Sequence, residues 1–512
     1  MLWELYLEIK KRREKYIGIN KQIYFSSDMT RKHTRRAKRK TQKKRGDIHG
    51  NIHGKRYPTK NGWIRIQIWG NAFERGYAHG HLLCAELRRI REVILPFLVK
   101  TFYHVSYDEY ERLCHTQVFE NIRTEYPEFF EELSGIAAGS KMNLDFIIAW
   151  NCHLSMSSFF KRSEHKRSEH KHKKKHHGAE NDRCSAFIAV GDATETGEIV
   201  MAHNTHSDFV SATTFNVILE IDAQETIHDG SNKKKPKKIK MQTAPGFIAS
   251  GSDWFMCESG IIGCETTIGG MDYKPDFSCK KTPYFCRVRQ AMQYADSLDE
   301  FVTYMKKGNA GDYACSWLLG HTRPGSGGSG QEIMLFELGL NTENIERKTN
   351  GVFYGMNAAI SPEIREKETK QKGSEKFWDM NKPSGARNIR FHFLLYEKYY
   401  GKIGVSNART ILADHYDVST NKETKGNGLT ICRHANLETR IAASPRGAFY
   451  PWGCTDGKVV SSSMAKRGSF LGRWGPTCGH AFSASAFIEK HPKFKKWSPV
   501  LPNMPTEPWI LL

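Results

Sequence analysis

The sequence predicts an α+β fold, because helical and strand-like patterns occur in blocks and do not alternate strictly. Residues 107–150 have helical spacing, and successive strand-like runs begin at Cys184. Helical spacing returns at 283–306 and again at 385–400, and further strands are predicted at 315–320 and 333–338. This order of elements favours layered sheets and helices over a doubly wound parallel sheet.

The chain has 512 residues, which predicts two domains or one large domain with insertions. Residues 1–56 form a basic arm, and a first helical and strand segment covers 57–160. It starts with an alternating strand, Trp63 to Trp69, which we expect to be followed by a glycine-bounded turn. Residues 161–183 form a Lys/His-rich linker, and 184–512 form the main domain, with a basic loop insertion near 229–240.

Charge is unevenly distributed along the chain. The formal net charge is +22, from 77 Lys and Arg against 55 Asp and Glu. Much of the excess lies in tracts at 31–45, 161–177 and 233–240, which we interpret as solvated loops or tails. Such tracts attract polyanions, so an anionic membrane surface and nucleic acid are both candidate partners. No apolar run reaches the ~18 residues of a membrane-spanning helix, and the early acids of MLWELYLEIK make a poor signal peptide.

The cysteine pattern argues against a metal site. The chain has 12 cysteines, with no CxxC pair and no Cys/His set at the usual zinc spacing. We therefore predict no metal, and the chemistry proposed below needs no organic cofactor.

One cysteine stands at an unusual place in the chain. Residues 181–205 read NDRCSAFIAVGDATETGEIVMAHNT, so Cys184 opens a strand directly after the linker, and a second strand ends near His203. Pairing of the two strands as a hairpin would bring His203 beside Cys184. A thiol needs a base to become a nucleophile, and a cut after Arg183 would supply one, the new α-amine, with a pKa of about 7.7–8.0.

The residues leave three alternatives open. Cys184 is a buried structural thiol, or it works with His203 as base in an uncut chain, or the basic tracts make the protein a nucleic-acid binder. Activity without cleavage would identify the second, and salt-dependent DNA binding that survives loss of Cys184 would identify the third.

The nucleophile hairpin resembles that of the phospholipase B-like proteins, which are N-terminal-nucleophile hydrolases related to penicillin acyltransferase-type cysteine hydrolases. The similarity lies in CSAFIAVG and GEIVMAHNT and continues in PGFIASGSDWFMCESGIIGCETT, CRVRQAMQYADSLDEF, GVFYGMNAAI and GARNIRFHFL. The family has Trp where this chain has His206. The resemblance implies a four-layer αββα sandwich, self-cleavage between Arg183 and Cys184, and no cofactor.

The resemblance also implies roles for individual residues. Cys184 is the nucleophile, His203 orients it, Asn357 stabilises the oxyanion with a backbone N–H, and Asp253 holds the α-amine. Arg387 is a further catalytic residue. The resemblance places the substrate pocket at Asn204, Thr205, His206, Trp254 and Thr267, and a disulfide between Cys432 and Cys454.

The function implied by the resemblance is deacylation of lipids. The related acyltransferases process amides on the same scaffold, so amide hydrolysis and acyl transfer remain alternatives. Family members are typically lysosomal or secreted, although this sequence starts without a convincing signal peptide.

Overall fold

Two β-sheets organise the chain in the computed structural model, which describes residues 52–157, 159–160, 183–224, 227–229, 232–251, 254–323, 331–444 and 446–512. The basic tracts 31–45 and 161–177, and with them most of the predicted arm and linker, lie outside the described residues, as does Asp253. The predicted α+β class is confirmed.

The strands, numbered in chain order, are β1 (Gly54–Arg56), β2 (Ile64–Gly70), β3 (Cys184–Gly191), β4 (Gly197–Asp208), β5 (Val217–Ala223), β6 (Ile227–Asp229), β7 (Asn232–Lys234), β8 (Ile239–Thr243), β9 (Trp254–Cys257), β10 (Ile261–Thr267), β11 (Cys315–His321), β12 (Glu332–Leu338), β13 (Glu343–Lys348), β14 (Gly351–Gly355), β15 (Tyr416–Asp417), β16 (Lys422–Glu423), β17 (Trp452–Ser461), β18 (Leu471–Trp474) and β19 (Ile510–Leu511).

The α-helices are α1 (Ala72–Leu82), α2 (Cys84–Arg89), α3 (Leu95–Leu98), α4 (Tyr107–Glu125), α5 (Pro127–Ser140), α6 (Leu144–Asn151), α7 (Phe209–Ala212), α8 (Tyr284–Tyr294), α9 (Leu298–Lys306), α10 (Pro362–Glu368), α11 (Ser374–Phe377), α12 (Pro383–His392), α13 (Val405–Leu412), α14 (Ser462–Lys466) and α15 (Ala484–Lys490). Short π-helical turns follow α2, α3 and α12, at Ile90–Ile94, Val99–Tyr103 and Phe393–Lys398.

Within the described residues, the larger sheet has nine strands in the order β1-β2-β5-β8-β9-β10-β11-β12-β13, and the smaller has six in the order β14-β3-β4-β17-β18-β19. Pairing is antiparallel in both sheets except between β2 and β5, which run parallel. The hairpin β3–β4 lies inside the smaller sheet, flanked by β14 and β17. Cys184 therefore begins a strand that is paired on both sides.

Alternating side chains of β3 pack into different cores. Ala186 and Ile188 belong to a buried cluster that also contains Trp254 and Leu318 of the larger sheet, so this face of β3 looks toward that sheet. Phe187 and its neighbours face the opposite way, against α12, α13 and the turn after α12. A third cluster joins α1–α6, α8 and α9 to the other face of the larger sheet. Two facing sheets with helices outside them result.

The glycine-rich stretch after β2 differs from the predicted turn. It forms α1, which begins with a capping box in which Asn71 and Glu74 bond each other's backbone. The glycines serve helix packing, since a Cβ at Gly76 or Gly80 would lie 2.1 Å from the carbonyl oxygen of Glu132 or Ile136 on α5. Gly76 and Gly80, four residues apart, were interpreted as part of a turn, because the packing role of a helical glycine can be recognised only when its partner helix is known.

None of the described helices combines the length and the apolar character that a membrane crossing requires.

Candidate active site

Cys184 is the first residue of β3, and its side chain is 2% exposed. Its cross-strand partner is Thr205, whereas His203 pairs with Ala186. Residues two apart on a strand share a face, so Cys184 and His203 lie on the same inward face as diagonal neighbours. The predicted pairing is therefore two residues out of register, and Thr205 lies directly opposite Cys184.

The peptide bond between Arg183 and Cys184 is held on both sides. The Cys184 N–H donates to Asn357 Oδ1 at 3.1 Å, and the Arg183 carbonyl accepts from the backbone N–H of His206. The next carbonyl, that of Cys184, accepts from Arg387 Nη1 at 2.5 Å. Every polar backbone atom from the Arg183 carbonyl to the Cys184 carbonyl thus has a partner, and the bond is fixed in one orientation.

Asn357 follows β14 in a left-handed backbone conformation, with φ of 73°. Asparagine tolerates this conformation better than most residues, because its short polar side chain bonds locally. Its Nδ2 donates to the Thr267 carbonyl at 2.9 Å, so the side chain is locked with Oδ1 toward Cys184 N. The predicted oxyanion role requires an Nδ2 N–H directed at the substrate, and one of the two N–H groups of Nδ2 already donates to the Thr267 carbonyl.

Arg387 lies on α12 and is fully buried. Its Nη2 donates to the Met356 carbonyl at 2.7 Å and to Asn357 Oδ1 at 3.1 Å, and its Nη1 also reaches Ser185 Oγ at 3.1 Å. Nε donates to the Pro383 carbonyl at 2.9 Å. The guanidinium therefore links α12, the segment after β14 and the start of β3, which only its fork of donors can do.

His203 is fully buried among these strands. Its Nε2 lies 3.0 Å from the Glu265 carbonyl, so this nitrogen carries the proton, and Nδ1 has no hydrogen-bond partner among the described residues. Burial, followed by the positive charge of Lys458, holds the pKa of His203 well below its usual range. The ring is neutral and a poor proton acceptor.

A buried ion pair completes the inward face. Lys458 Nζ on β17 lies 2.5 Å from Asp456 Oδ1 and donates to Thr205 Oγ1 at 2.7 Å, and both charged side chains are fully buried. Gln242 Nε2 donates to the second Asp456 oxygen at 3.1 Å. This network positions Thr205 opposite Cys184. This ion pair was not predicted from the sequence, although the alternating polar residues of CTDGKVVSS indicate that one face of β17 carries buried charge.

The remaining predicted pocket residues are divided between both faces of the sheet. Thr267 Oγ1 bonds the Tyr313 hydroxyl at 2.7 Å near Asn357, whereas Trp254 is buried in the cluster between the sheets. Asn204 points to the other face, where Nδ2 donates to the Leu412 carbonyl at 2.8 Å.

His206 is buried with both ring nitrogens lacking hydrogen-bond partners among the described residues, and it contacts Trp452 edge-on. Burial, then nearby guanidinium groups, lowers the pKa of His206 well below its usual range.

Arg183, the residue before β3, lies near two polar side chains, those of His153 and Tyr103. Burial, followed by the charge of Arg183, lowers the pKa of His153 to about 3. The hydroxyl of Tyr103 donates to the His153 carbonyl at 2.7 Å, and the charge of Arg183 also acts on Tyr103. Arg183, the residue on the acyl side of the predicted cleavage site, therefore lies close enough to His153 and Tyr103 to influence their pKa values.

The predicted disulfide is not formed. Cys432 and Cys454 both fall within the described residues, and each carries a free thiol. Cys432 Sγ instead lies 3.5 Å from His434 Nε2, and Cys454 Sγ lies 3.7 Å from Thr477 Oγ1.

The expectation of no metal-binding set needs correction. Four side chains, His415, His434, Cys478 and His480, bring their ligand atoms within 4.8 Å of one another. Their wide and irregular spacing in the sequence has none of the zinc patterns that were sought, because separate loops supply them.

Comparison with known proteins supports the interpretation of the central region. An uncharacterized protein of Archaeoglobus fulgidus is 24% identical over 262 residues, which cover 49% of this chain and 40% of the relative. The chain thus spans less than half of that relative's length. The Phospholipase B family model matches residues 132–323, a range that contains Cys184, His203 and Thr267 but not Asn357 or Arg387. The match over residues 132–323 supports the resemblance of the central region to the phospholipase B family, whose name indicates a hydrolase of lipid esters.

Proposed function

We propose that the protein is a phospholipase B-like hydrolase that activates itself by cutting between Arg183 and Cys184 and then uses Cys184 as its N-terminal nucleophile. One observation carries the proposal. The peptide bond that must break is held by Asn357 Oδ1 at the Cys184 N–H and by the His206 N–H at the Arg183 carbonyl. A purely structural cysteine at the head of a strand does not need this arrangement.

In the first step the Cys184 thiolate attacks the carbonyl carbon of Arg183. The C–N bond to Cys184 breaks, the nitrogen takes up a proton, and the acyl group moves to sulfur as a thioester. Water then hydrolyses the thioester, which gives the Arg183 carboxylate and a free α-amine and thiol on Cys184. The His206 N–H already contacts the oxygen that becomes negatively charged, so it is suited to stabilise that charge.

After cleavage the α-amine of Cys184 serves as the base. Its ordinary pKa of about 7.7–8.0 leaves a useful neutral fraction near pH 7. Asn357 Oδ1, at 3.1 Å from this nitrogen before cleavage, is the group best placed to hold it, and Arg387 fixes Asn357 Oδ1 in turn. We therefore propose that Asn357 holds the α-amine, whereas Asp253 lies outside the described residues and its role stays a prediction. Arg387 is a positioning residue in this scheme.

Departure of Arg183 frees the His206 N–H for a substrate. An ester carbonyl attacked by Cys184 would form the same kind of thioester as the Arg183 acyl group did in the precursor. We propose that its oxygen occupies the position of the Arg183 oxygen and accepts from the His206 N–H. The α-ammonium then protonates the leaving alcohol, and water releases the acyl group.

A Cys–His hydrolase that needs no cleavage is less well supported. In that scheme His203 must accept the thiol proton, yet its pKa lies well below the usual range and it is a diagonal neighbour of Cys184. An N-terminal α-amine lies on the nucleophile's own residue and avoids both difficulties.

The substrate assignment follows the family, so a phospholipid ester is proposed, and amide hydrolysis and acyl transfer are its competitors. The test uses purified protein with phosphatidylcholine vesicles and with an N-acyl amide, and it measures released fatty acid by mass spectrometry. Cys184→Ala is compared with Cys279→Ser, which changes an exposed thiol. We expect release from the ester by wild type and Cys279→Ser alone. Release that persists in Cys184→Ala would refute the nucleophile, and no release from either substrate would refute the hydrolase.

A further inference from the structure

Three histidines and one cysteine converge on the side of the smaller sheet that faces away from the larger one. They are His415 after α13, His434 in the loop before β17, and Cys478 and His480 after β18, and their ligand atoms all lie within 4.8 Å of one another. The proposed hydrolase chemistry uses none of these four side chains.

The distances within the cluster fit a bound metal ion. His434 Nε2 lies 3.3 Å from Cys478 Sγ. Tetrahedral zinc, with Zn–N of about 2.0–2.1 Å and Zn–S of about 2.3 Å, holds such ligand atoms roughly 3.5 Å apart. The His415 and His434 ring centroids are 5.0 Å apart, and those of His415 and His480 are 5.7 Å apart. His415 Nε2 is buried without a hydrogen-bond partner among the described residues, so no described group satisfies its lone pair or its proton.

The local backbone is shaped around these side chains. Gly479, between Cys478 and His480, has φ of 90°, which lets two near-adjacent ligands turn toward one point. A Cβ at Gly426 would lie 2.4 Å from His434 Cδ2 and 3.0 Å from His415 Nε2. The backbone N–H of His480 donates to Cys478 Sγ at 3.4 Å, so these two residues are also joined directly.

We propose that His415, His434, Cys478 and His480 form a binding site for Zn²⁺ or a similar transition-metal ion. Three imidazoles and one thiolate are the soft and borderline ligands that zinc prefers, and four protein ligands make the closed tetrahedral shell of a structural site. A surface cleft of about 380 Å³, lined by His415, Cys478 and His480 among others, gives the ion an entry path.

Such an ion would fasten the loops that support the nucleophile hairpin. The Ile431 carbonyl, three residues before His434, accepts from Ser185 Oγ at 3.1 Å. The Leu412 carbonyl, three residues before His415, accepts from Asn204 Nδ2 at 2.8 Å and from Thr477 Oγ1 at 2.9 Å. Metal binding would thus hold together the segments that contact the outer face of β3 and β4.

The test measures metal content and needs no enzyme activity. Full-length protein without an affinity tag is loaded with zinc, dialysed, and analysed by inductively coupled plasma mass spectrometry. The histidines of the tract at 161–177 offer further metal ligands, so each variant is compared with wild type carrying the same tract. Cys478→Ser and His480→Ala change the site, and Cys279→Ser and His81→Ala change exposed residues of the same types elsewhere.

We expect wild type and both controls to retain about one zinc equivalent more than Cys478→Ser and His480→Ala. In wild type, Co²⁺ should produce a thiolate-to-cobalt charge-transfer band that Cys478→Ser lacks, and zinc should raise the melting temperature of wild type but not of His480→Ala. Equal zinc content in all five proteins, or no charge-transfer band in wild type, would overturn the proposal. Because His480 is exposed, its variant is expected to fold and to keep the comparison valid.

Discussion

Replacement of Asn357 by alanine should slow self-cleavage strongly. The change removes Oδ1, which accepts from the Cys184 N–H and from Arg387 Nη2, each at 3.1 Å. A hydrogen bond to a charged group contributes about 1.5–3 kcal/mol, and a tenfold change in rate corresponds to about 1.4 kcal/mol. If this stabilisation is made in the transition state, the rate falls by about 10- to 150-fold.

The same replacement also strains the backbone, because alanine at φ of 73° costs about 1–2 kcal/mol. Asn421→Ala is the matched control, since Asn421 is an exposed asparagine with φ of 55° in the β15–β16 hairpin. Asn357→Asp is the second comparison, because it keeps oxygen acceptors for Cys184 and Arg387 and replaces the donor to the Thr267 carbonyl by a second carboxylate oxygen. We expect Asp at this position to cleave faster than Ala.

The assay is a time course of the uncut and cut chains by intact-mass spectrometry, with the melting temperature of each variant measured alongside. The account predicts slow cleavage in folded Asn357→Ala and a wild-type rate in Asn421→Ala. Cleavage of Asn357→Ala within about twofold of wild type would show that Oδ1 does not act on the reacting nitrogen, and the mechanism would have to be abandoned in this form.

Three further predictions concern buried polar or charged side chains. Arg387→Lys should lower the free energy of unfolding by about 2–4 kcal/mol in denaturant titrations. Lysine cannot reach all the buried acceptors, and each acceptor left without a hydrogen bond costs about 1–3 kcal/mol. An unchanged denaturation midpoint would contradict this prediction. Lys458→Met should lower the free energy of unfolding by about 3–5 kcal/mol, because it removes the cation that pairs with the buried Asp456 carboxylate. Adding Asp456→Asn should restore part of that loss. If the two losses simply add, the ion pair is not the cause. Burial lowers the pKa of His79 to about 4, so between pH 6.5 and 4 the unfolded chain binds a proton that the folded chain does not. Stability should fall by about 1.4 kcal/mol per pH unit from this group as pH decreases, and His79→Gln should lose that part of the slope in guanidinium titrations at pH 5 and 7.

The sequence allowed the general architecture to be predicted because strand alternation and helix periodicity are local properties. The nucleophile hairpin was recognised for this reason, since β3 and β4 are adjacent in the chain and join through a short turn. Its register was less accessible. A shift of two residues keeps every side chain on its face, so the pattern alone could not distinguish His203 from Thr205 as the partner of Cys184.

Residues that meet only through tertiary structure were harder to predict. Arg387 and Asn357 were identified from family resemblance, but their contacts with the backbone of Cys184 depend on α12 packing over the end of β14. The His415 cluster was missed because its ligands come from loops that are distant in the chain, and no local motif marks them. Asp253, which lies outside the described residues, keeps the role given to it only as a prediction.

The central claim is that the chain cuts itself before Cys184. Intact mass and N-terminal sequencing of purified wild-type protein, beside Cys184→Ala, test it most directly. The account predicts a new N-terminus that begins Cys-Ser-Ala-Phe in wild type and no such terminus in Cys184→Ala. A wild-type chain that stays uncut through prolonged incubation at mildly acidic and neutral pH, or a Cys184→Ala chain cut at the same bond, would contradict it.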